Sequence, residues 1–212
     1  MSSIRKINIG CGTNVLPGFD NIDNSPSAFL ARHPSLKWLL FKTGVLSCRQ
    51  YEIEWPKNIL WQDASKRLAY GSGSVDKIYS SHFLEHLPYD KALGVLRECR
   101  RVLKPGGIFR LVVPDLLYHA KKYVEETERL LAADSEMMRD PHDKFLYSVF
   151  GKYLTGARSA HCYMYDWPTL KILLPEIGFK EVTRRTFQDS ADPELAALDN
   201  RPKDSLFVEM TV

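Results

Sequence analysis

The sequence predicts a doubly wound α/β fold with a mostly parallel sheet, and three observations support this prediction. Short strand-like segments alternate with helical segments along the chain, which is the pattern of a parallel sheet covered by helices on both faces. The first strand alternates Ile7 and Ile9 with Asn8 and then breaks into a turn at Gly10 and Gly12, as the first strand of such sheets does. The length of 212 residues favours one domain with a single core, spanning residues 1–212.

Strands and helices follow one another in the order that this fold requires. Strands are predicted at residues 4–9, 19–23, 58–61, 75–79, 108–113, 179–187 and 206–212. A helix is predicted over residues 90–103, where apolar residues recur near helical spacing until the helix-breaking segment Lys104–Gly107. Another helix is predicted between Asp166, an N-cap residue before Pro168, and Gly178, which is typical of a helix end.

The connection between the first two strands is too short for a helix. Only six residues separate Gly12 from Phe19, so the chain must cross nearly extended and leave a patch of the sheet uncovered. We expect an apolar insert at residues 27–57, which contains Trp38 and Phe41, to cover this patch or to form a wall of the substrate cleft. The alternative for this insert is an amphipathic anchor that lies in a membrane surface.

A second insert occupies residues 116–165. It contains two amphipathic segments, at residues 120–131 and 145–154. Their position after the fifth strand predicts a substrate lid. The alternative is a helical hairpin that only completes the core.

Composition excludes several classes of protein. Hydrophobic residues make up 44% of the chain, charged residues 26%, and the net charge is +3, which is ordinary for a globular protein and too little for a nucleic-acid-binding surface. The four cysteines lack the spacing of a zinc or disulfide framework. No apolar run is long enough to span a membrane and no signal peptide precedes Ile4. A cytoplasmic protein is therefore expected, and its oligomeric state stays open.

The glycine turn points to a nucleoside-bearing cofactor. Gly10 and Gly12 let the backbone turn sharply and let a ligand approach without meeting a Cβ atom. The third glycine of a dinucleotide-binding turn is absent, because Val15 occupies its position. Asp23 ends the second strand, where a carboxylate in such folds binds ribose hydroxyls.

Five segments together resemble a known family. They are Asn8-Ile9-Gly10-Cys11-Gly12, Asn21-Ile22-Asp23, Asp63-Ala64, Ser80-Ser81-His82-Phe83-Leu84-Glu85-His86-Leu87 and Arg101-Val102-Leu103-Lys104-Pro105-Gly106-Gly107. In order and spacing they resemble class I S-adenosylmethionine-dependent methyltransferases, within them the type 11 group, and especially a bacterial branch associated with surface-glycan (polysaccharide) biosynthesis. The resemblance covers nearly the whole chain. It implies a Rossmann-like sheet of seven strands in which the last strand, residues 206–212, is antiparallel.

The resemblance also implies which residues bind the methyl donor, S-adenosylmethionine. Gly10 and Gly12 would pass the methionine portion along their backbone, and Asp23 would bond the ribose hydroxyls. Asp63 would contact the adenine amino group, and Ser81 would lie beneath the sulfonium. The full set expected to bind the cofactor is Asn8, Gly10, Cys11, Gly12, Asp23, Asn24, Asp63, Ala64, Ser81 and His82. Asn8 departs from the acid usual at its position, which leaves a non-catalytic S-adenosylmethionine- or S-adenosylhomocysteine-binding protein as an alternative.

The segment from His82 to His86 also matches a zinc-hydrolase motif, H-x-x-E-H, in which His82 and His86 would bind zinc and Glu85 would assist. Such ligands belong inside a long helix, whereas here the motif follows a strand directly and is ended by Pro88. The methyltransferase interpretation accounts for the same residues, and no metal is expected.

Two histidines are candidates for catalysis on a small-molecule or glycan-like acceptor. His161 lies near the predicted carboxyl edge of the sheet, and a group that titrates near neutrality can act as general base. A structural histidine is the alternative for this residue. His82 would lie next to the reacting sulfonium. Asp115, after the strand that ends at Pro114, is a further candidate on the acceptor side, although an exposed loop carboxylate is the simpler interpretation.

Overall fold

The structure is a computed structural model that describes residues 4–132, 139–150 and 161–212. The strands are β1 (Lys6–Ile9), β2 (Asp20–Asp23), β3 (Leu60–Trp61), β4 (Val75–Ser81), β5 (Leu103–Pro114), β6 (Lys180–Arg185) and β7 (Ser205–Thr211). The helices are α1 (Pro26–Ala31), α2 (Pro34–Lys42), α3 (Cys48–Glu52), α4 (Tyr89–Val102), α5 (Leu116–Ala132), α6 (Arg139–Phe150), α7 (Trp167–Ile177) and α8 (Pro193–Ala196). A 3₁₀ turn spans Leu84–His86.

The seven strands form one sheet in the order β3-β2-β1-β4-β5-β7-β6. The strands from β3 to β5 in this order pair in parallel, and β7 pairs antiparallel with both of its neighbours. The prediction of a Rossmann-like, mostly parallel sheet with an antiparallel last strand is confirmed. The strand order reverses between β1 and β4, so the carboxyl ends of these two strands flank the crevice in which such sheets bind ligands.

The connection from β1 to β2 is non-helical, as its length predicts. The buried side chain of Asn21 organises it. Its Oδ1 accepts from the Leu16 backbone N–H at 2.8 Å, and its Nδ2 donates to the carbonyls of Leu16 and Phe19. The Asn21 amide thus provides hydrogen-bond partners for backbone groups of Leu16 and Phe19, which lie outside any helix or strand.

One face of the sheet packs against α4 and α7. This core contains Ile7, Ile9, Ile78, Leu96, Cys99, Leu170 and Leu174. The prediction of α7 is confirmed at both ends, because the Asp166 side chain accepts from the Thr169 N–H at 2.9 Å and Gly178 has a φ of 100°. The helix α4 ends at Val102, just before the segment Lys104–Gly107, and this segment is part of β5.

The opposite face is covered by the connection between β6 and β7. The apolar cluster on this face joins Leu195 of that connection to Tyr79, Val112 and Phe207 of the sheet. Leu16 and Phe19, from the connection between β1 and β2, complete the cluster. The strand register also aligns four polar side chains across this face: Asn8, Tyr79, Arg110 and Glu209. Arg110 Nε donates to Asp199 Oδ1 at 2.9 Å, and Arg110 Nη1 donates to Glu209 Oε1 at 3.1 Å. Charge pairing therefore fastens this connection to the sheet.

The first insert covers the sheet only in part. Ala28 and Leu30 of α1 are buried, whereas α2 buries none of its residues and Trp38 is 52% exposed. Phe41 is half-buried because its ring stacks on Tyr51, at 4.3 Å between centroids, within the insert itself. The expectation that the insert covers the bare patch is therefore wrong for α2, the helix that carries Trp38 and Phe41. The role of the insert at the substrate cleft stays a prediction.

The second insert contains a packed helix pair. The rings of Tyr123 in α5 and Phe145 in α6 stack at 4.9 Å. None of the residues of α5 is buried, so α5 adds little to the core. Residues 151–160, which include the end of the second predicted amphipathic segment, lie outside the described residues.

Candidate functional site

The glycine turn lies at the carboxyl end of β1, and its two glycines differ in what surrounds them. Gly10 has φ 68° and Gly12 has φ 54°, both in the left-handed region. A Cβ atom on Gly10 would lie 2.1 Å from Phe83 Cγ, whereas a Cβ atom on Gly12 would meet nothing within 4 Å. Gly10 is thus required by packing against Phe83, and Gly12 borders open space through which a ligand can pass.

Asp23, at the tip of β2, is joined to this turn. Its Oδ2 accepts from the Gly12 N–H at 2.8 Å, and its Oδ1 accepts from the Ser25 N–H at 2.7 Å. The structure therefore brings together the predicted glycine turn and the predicted ribose-binding carboxylate. Asn24, the next residue, is exposed.

Asp63 follows β3, the neighbour of β2. Its Oδ1 accepts from the Ser65 N–H at 2.9 Å and from the Ser65 hydroxyl at 2.6 Å. Burial raises the pKa of Asp63, but the bonds from Ser65 and the nearby Lys66 and Lys91 lower it by more, so the carboxyl is ionised at neutral pH. The Ala64 side chain is buried in the main core, so a ligand would contact the backbone of Ala64.

A cavity of about 230 Å³ opens at the glycine turn. It is lined by Asn8, Gly10, Cys11, Gly12, Thr13, Asn14, Tyr79, Ser81, His82, Asn200 and Arg201. It brings together six of the ten residues predicted to bind the cofactor, whereas Asp23 and Asp63 lie outside its lining. Asn200 and Arg201 were missed by the sequence reasoning because they belong to the connection before β7, which carries no motif.

Asn8 has a structural role that the sequence left open. It is buried, and its Nδ2 donates to Asn21 Oδ1 at 2.9 Å and to the Asn14 carbonyl at 3.1 Å. These bonds hold the loop after the glycine turn in place. An acid at this position could not donate them.

Cys11 is an inert thiol. Burial, together with the nearby Asp23 carboxylate, raises the pKa of Cys11 to about 12. The thiol therefore stays protonated at neutral pH and is not a nucleophile.

His82 directly follows β4 and has an unusual backbone, with φ 49°. Its N–H donates to the Val112 carbonyl at 2.9 Å, which holds it in this left-handed conformation. Its Nε2 lies 2.9 Å from Ser205 Oγ and its Nδ1 lies 3.4 Å from Glu85 Oε1. A non-glycine residue in this region is uncommon and is found more often at functional sites.

Glu85 is fully buried beside His82. Its side chain is 0% exposed, and both carboxylate oxygens lack a hydrogen-bond partner among the described residues. His86 Nε2 lies 3.8 Å from Glu85 Oε1. Residues 84–86 form a single 3₁₀ turn that begins after His82, so no helix presents both motif histidines on one face.

The structure separates His161 from the glycine-turn cavity. The His161 ring packs against His86 with 5.1 Å between centroids. Asp115, the other acceptor-side candidate, is buried and not in an exposed loop. Its carboxylate accepts from the Leu117 N–H at 3.0 Å and pairs with Arg184 at 3.2 Å. Asp115 is therefore a structural carboxylate.

Comparison with known proteins yields a family match and a shared fold. Residues 43–111 match the family model described as a methyltransferase domain. No curated protein sequence matches the chain. Among solved structures, a SAM-dependent methyltransferase from Methanosarcina mazei is similar at 19% identity and TM-score 0.53, with coverage of 100% of this chain and 94% of that one. One from Archaeoglobus fulgidus is similar at 16% identity and TM-score 0.52, with coverage of 100% and 87%. These likenesses show the fold.

Within the described residues, no helix is long and apolar enough to cross a membrane.

Proposed function

The methyltransferase-domain match and the class I fold support an S-adenosylmethionine-dependent methyltransferase, and on that premise we propose that the chain methylates a small-molecule or glycan-like acceptor. The observation that carries this proposal is the 2.8 Å bond from the Gly12 N–H to Asp23. It fixes a carboxylate at the tip of β2 against an open glycine turn at the tip of β1. This is the arrangement that a nucleoside cofactor needs at a reversal of strand order.

Asp23 can bind ribose in the position it occupies. Each of its oxygens already accepts one backbone N–H, from Gly12 or Ser25, and a carboxylate oxygen accepts two bonds. The remaining lone pairs suit two adjacent hydroxyls. Both hydrogen bonds from Ser65 end on Oδ1 of Asp63, which leaves its Oδ2 for the adenine amino group.

The reaction asks the protein mainly for alignment. An acceptor atom forms a bond to the methyl carbon while the carbon–sulfur bond breaks and its electron pair returns to sulfur, which leaves S-adenosylhomocysteine. Holding the two reactants in line supplies most of the acceleration. When the acceptor is a hydroxyl, its proton must go to a base.

We assign the base role to His82 and not to His161. His82 lines the glycine-turn cavity, whereas His161 packs against His86 outside the lining of that cavity. The negative charge of Glu85, whose Oε1 lies 3.4 Å from His82 Nδ1 without forming a hydrogen bond, favours the tautomer with the proton on Nδ1. Nε2 is then the accepting nitrogen, and an acceptor hydroxyl would replace Ser205 Oγ as its partner.

The polar lining of the cavity supports an acceptor rich in hydroxyl groups. Amide, hydroxyl and guanidinium side chains surround it, from Asn14, Tyr79, Ser81, Asn200 and Arg201. Such groups bond sugar hydroxyls in both donor and acceptor roles. This lining is the reason to test sugars and short glycans as acceptors first.

Calorimetric titration with S-adenosylmethionine tests the proposal. Asp23→Ala and Asp63→Ala should each weaken binding by at least about tenfold, because a hydrogen bond to a charged group contributes about 1.5–3 kcal/mol. Asp76→Asn is the matched control, because Asp76 lies near the start of β4 at the opposite edge of the sheet. Equal affinity of the Asp23→Ala variant and the unmodified protein would overturn the proposal.

A methyl-transfer assay on sugar acceptors then separates enzyme from binding protein. His82→Asn should lower kcat by a larger factor than it weakens S-adenosylmethionine binding, and asparagine tolerates the left-handed backbone of this position. Tight binding without transfer to any acceptor of the panel would favour the non-catalytic alternative.

A further inference from the structure

We propose that Glu85, His86 and His161 bind a divalent transition-metal ion of the zinc class. One ligand atom from each of the three residues lies within 4.8 Å of the other two. Two imidazoles and one carboxylate are a ligand set typical of catalytic zinc. Ligand atoms around tetrahedral zinc lie about 3.3 Å apart, given metal–ligand distances near 2 Å, so side-chain rotations must bring these atoms closer by at most about 1.5 Å.

The Glu85 carboxylate carries the argument. Its side chain is 0% exposed, and neither oxygen has a hydrogen-bond partner among the described residues. A buried carboxylate without partners is strongly unfavourable, and buried charges in proteins are paired or coordinate a metal. The neighbouring His82 and His86 nitrogens, at 3.4 Å and 3.8 Å, lie beyond good hydrogen-bond distance. A cation between Glu85 and His86 would satisfy the carboxylate.

The backbone brings the third ligand to this place. The N–H groups of Cys162 and Tyr163 both donate to the Glu85 carbonyl, at 2.7 Å and 3.2 Å. Cys162 Sγ also donates to the His86 carbonyl at 3.3 Å. The segment that carries His161 is thus fastened to the 3₁₀ turn by main-chain bonds, independently of any ligand. The site is therefore largely assembled before a metal arrives.

The site has a route to solvent and a link to the cavity. The His86 side chain is 35% exposed, so an ion can enter past it. His82 contacts Glu85 with one ring nitrogen and lines the glycine-turn cavity. Three protein ligands leave a coordination position open for water or for an acceptor oxygen. Only the binding of an acceptor oxygen at this open position rests on the proposed function.

The proposed ligands differ from those of the sequence motif. The zinc-hydrolase motif would use His82 and His86 from one helix, whereas the structural group uses Glu85 itself and a histidine 75 positions after His86. The sequence analysis expected no metal because neither the cysteine spacing nor the local motif relates His161 to Glu85 and His86.

Zinc titration of the full-length protein, without a histidine tag and after chelator treatment, tests the inference. We expect one zinc ion per chain by calorimetry, and a visible ligand-field absorption spectrum when cobalt(II) is the probe. His161→Ala and Glu85→Gln should each weaken zinc binding by more than about 100-fold, since even changes to outer-shell partners weaken metal binding 10- to 100-fold. His33→Ala is the control, because His33 is an exposed histidine outside the group. Magnesium should not compete, because it prefers oxygen ligands.

Two results would overturn the inference: less than one bound zinc per chain, or equal zinc affinity in the unmodified protein and the His161→Ala variant. Thermal melting of each variant distinguishes a lost ligand from a failure to fold, and half-buried His161 gives the safer substitution. S-adenosylmethionine titration of the same samples separates the two proposals. Zinc binding without S-adenosylmethionine binding overturns only the proposed function, and the reverse overturns only the metal site.

Discussion

The guanidinium of Arg110 in β5 meets the carboxylate of Asp199, 89 residues later, with both side chains fully buried. Two nitrogens of Arg110 donate to the two oxygens of Asp199, and the same guanidinium donates to the carbonyls of Thr186 and Asp189. A planar fork of donors suits this geometry in a way that lysine does not. The pair thus fastens the connection between β6 and β7, which carries Asn200 and Arg201 to the cavity.

Replacement of Arg110 should therefore lower the free energy of unfolding by a large amount. Arg110→Met leaves Asp199 and Glu209 buried without their cation, and breaking a buried pair typically costs about 3–5 kcal/mol. The free energy of unfolding from urea denaturation measures this loss. Lys122→Met removes the same charge from an exposed pair with Glu126 and should change stability by less than about 1 kcal/mol. Similar losses of stability in the two variants would show that the buried pair of Arg110 and Asp199 is not what stabilises the fold.

The two glycines of the turn should respond differently to alanine. Gly10→Ala combines a left-handed backbone with a clash on Phe83 and should cost roughly 2–5 kcal/mol of stability. Gly12→Ala bears only the backbone strain, about 1–2 kcal/mol, but should weaken S-adenosylmethionine binding because its Cβ enters the open space. Thermal melts and calorimetry measure the two effects.

A double variant tests the cause of the Gly10 effect. Adding Phe83→Ala should recover part of the stability lost in Gly10→Ala, because contacting residues are non-additive. Strictly additive losses would show that the ring does not determine the need for glycine at this position.

Glu98 should stabilise the fold in a pH-dependent way. The side-chain bond from Arg101, outweighing burial, lowers the pKa of Glu98 below its usual 4.5. A group whose pKa is lower in the folded state contributes stability above its unfolded value, and this contribution is lost as pH falls through the folded value. The stability difference between the unmodified protein and Glu98→Gln should therefore be present at pH 6 and vanish in acid. A difference that grows as pH falls would contradict this sign.

The first insert should show a sharp contrast between its helices. Leu30→Ala removes a buried side chain of α1 and should cost about 2–5 kcal/mol. Trp38→Ser changes an exposed side chain of α2 that contacts Lys42 through its ring at 5.8 Å, and should cost less than about 1 kcal/mol. Urea denaturation of both variants measures the contrast, and a large loss for Trp38→Ser would mean that α2 covers apolar surface.

Much of the fold was readable from local patterns. The glycine turn and the two caps of α7 at Asp166 and Gly178 depend on residues within a few positions of one another, and Asp23 is recognisable from its place at the end of β2. Turn and cap chemistry acts over one helical turn or one strand end, so sequence spacing is enough to predict it. The non-helical crossover followed from length alone.

What the sequence determined by itself, then, was the order of strands and helices and the residues at the strand tips, because these depend on neighbours in the chain. Only the tertiary structure decided that Arg110 meets Asp199, that Asp115 is buried, and that His161 reaches Glu85 while missing the cavity. The residues that meet in these contacts are 69 to 89 positions apart in the chain. No local pattern encodes such partners, because the packing of whole elements determines which of many available charges meet.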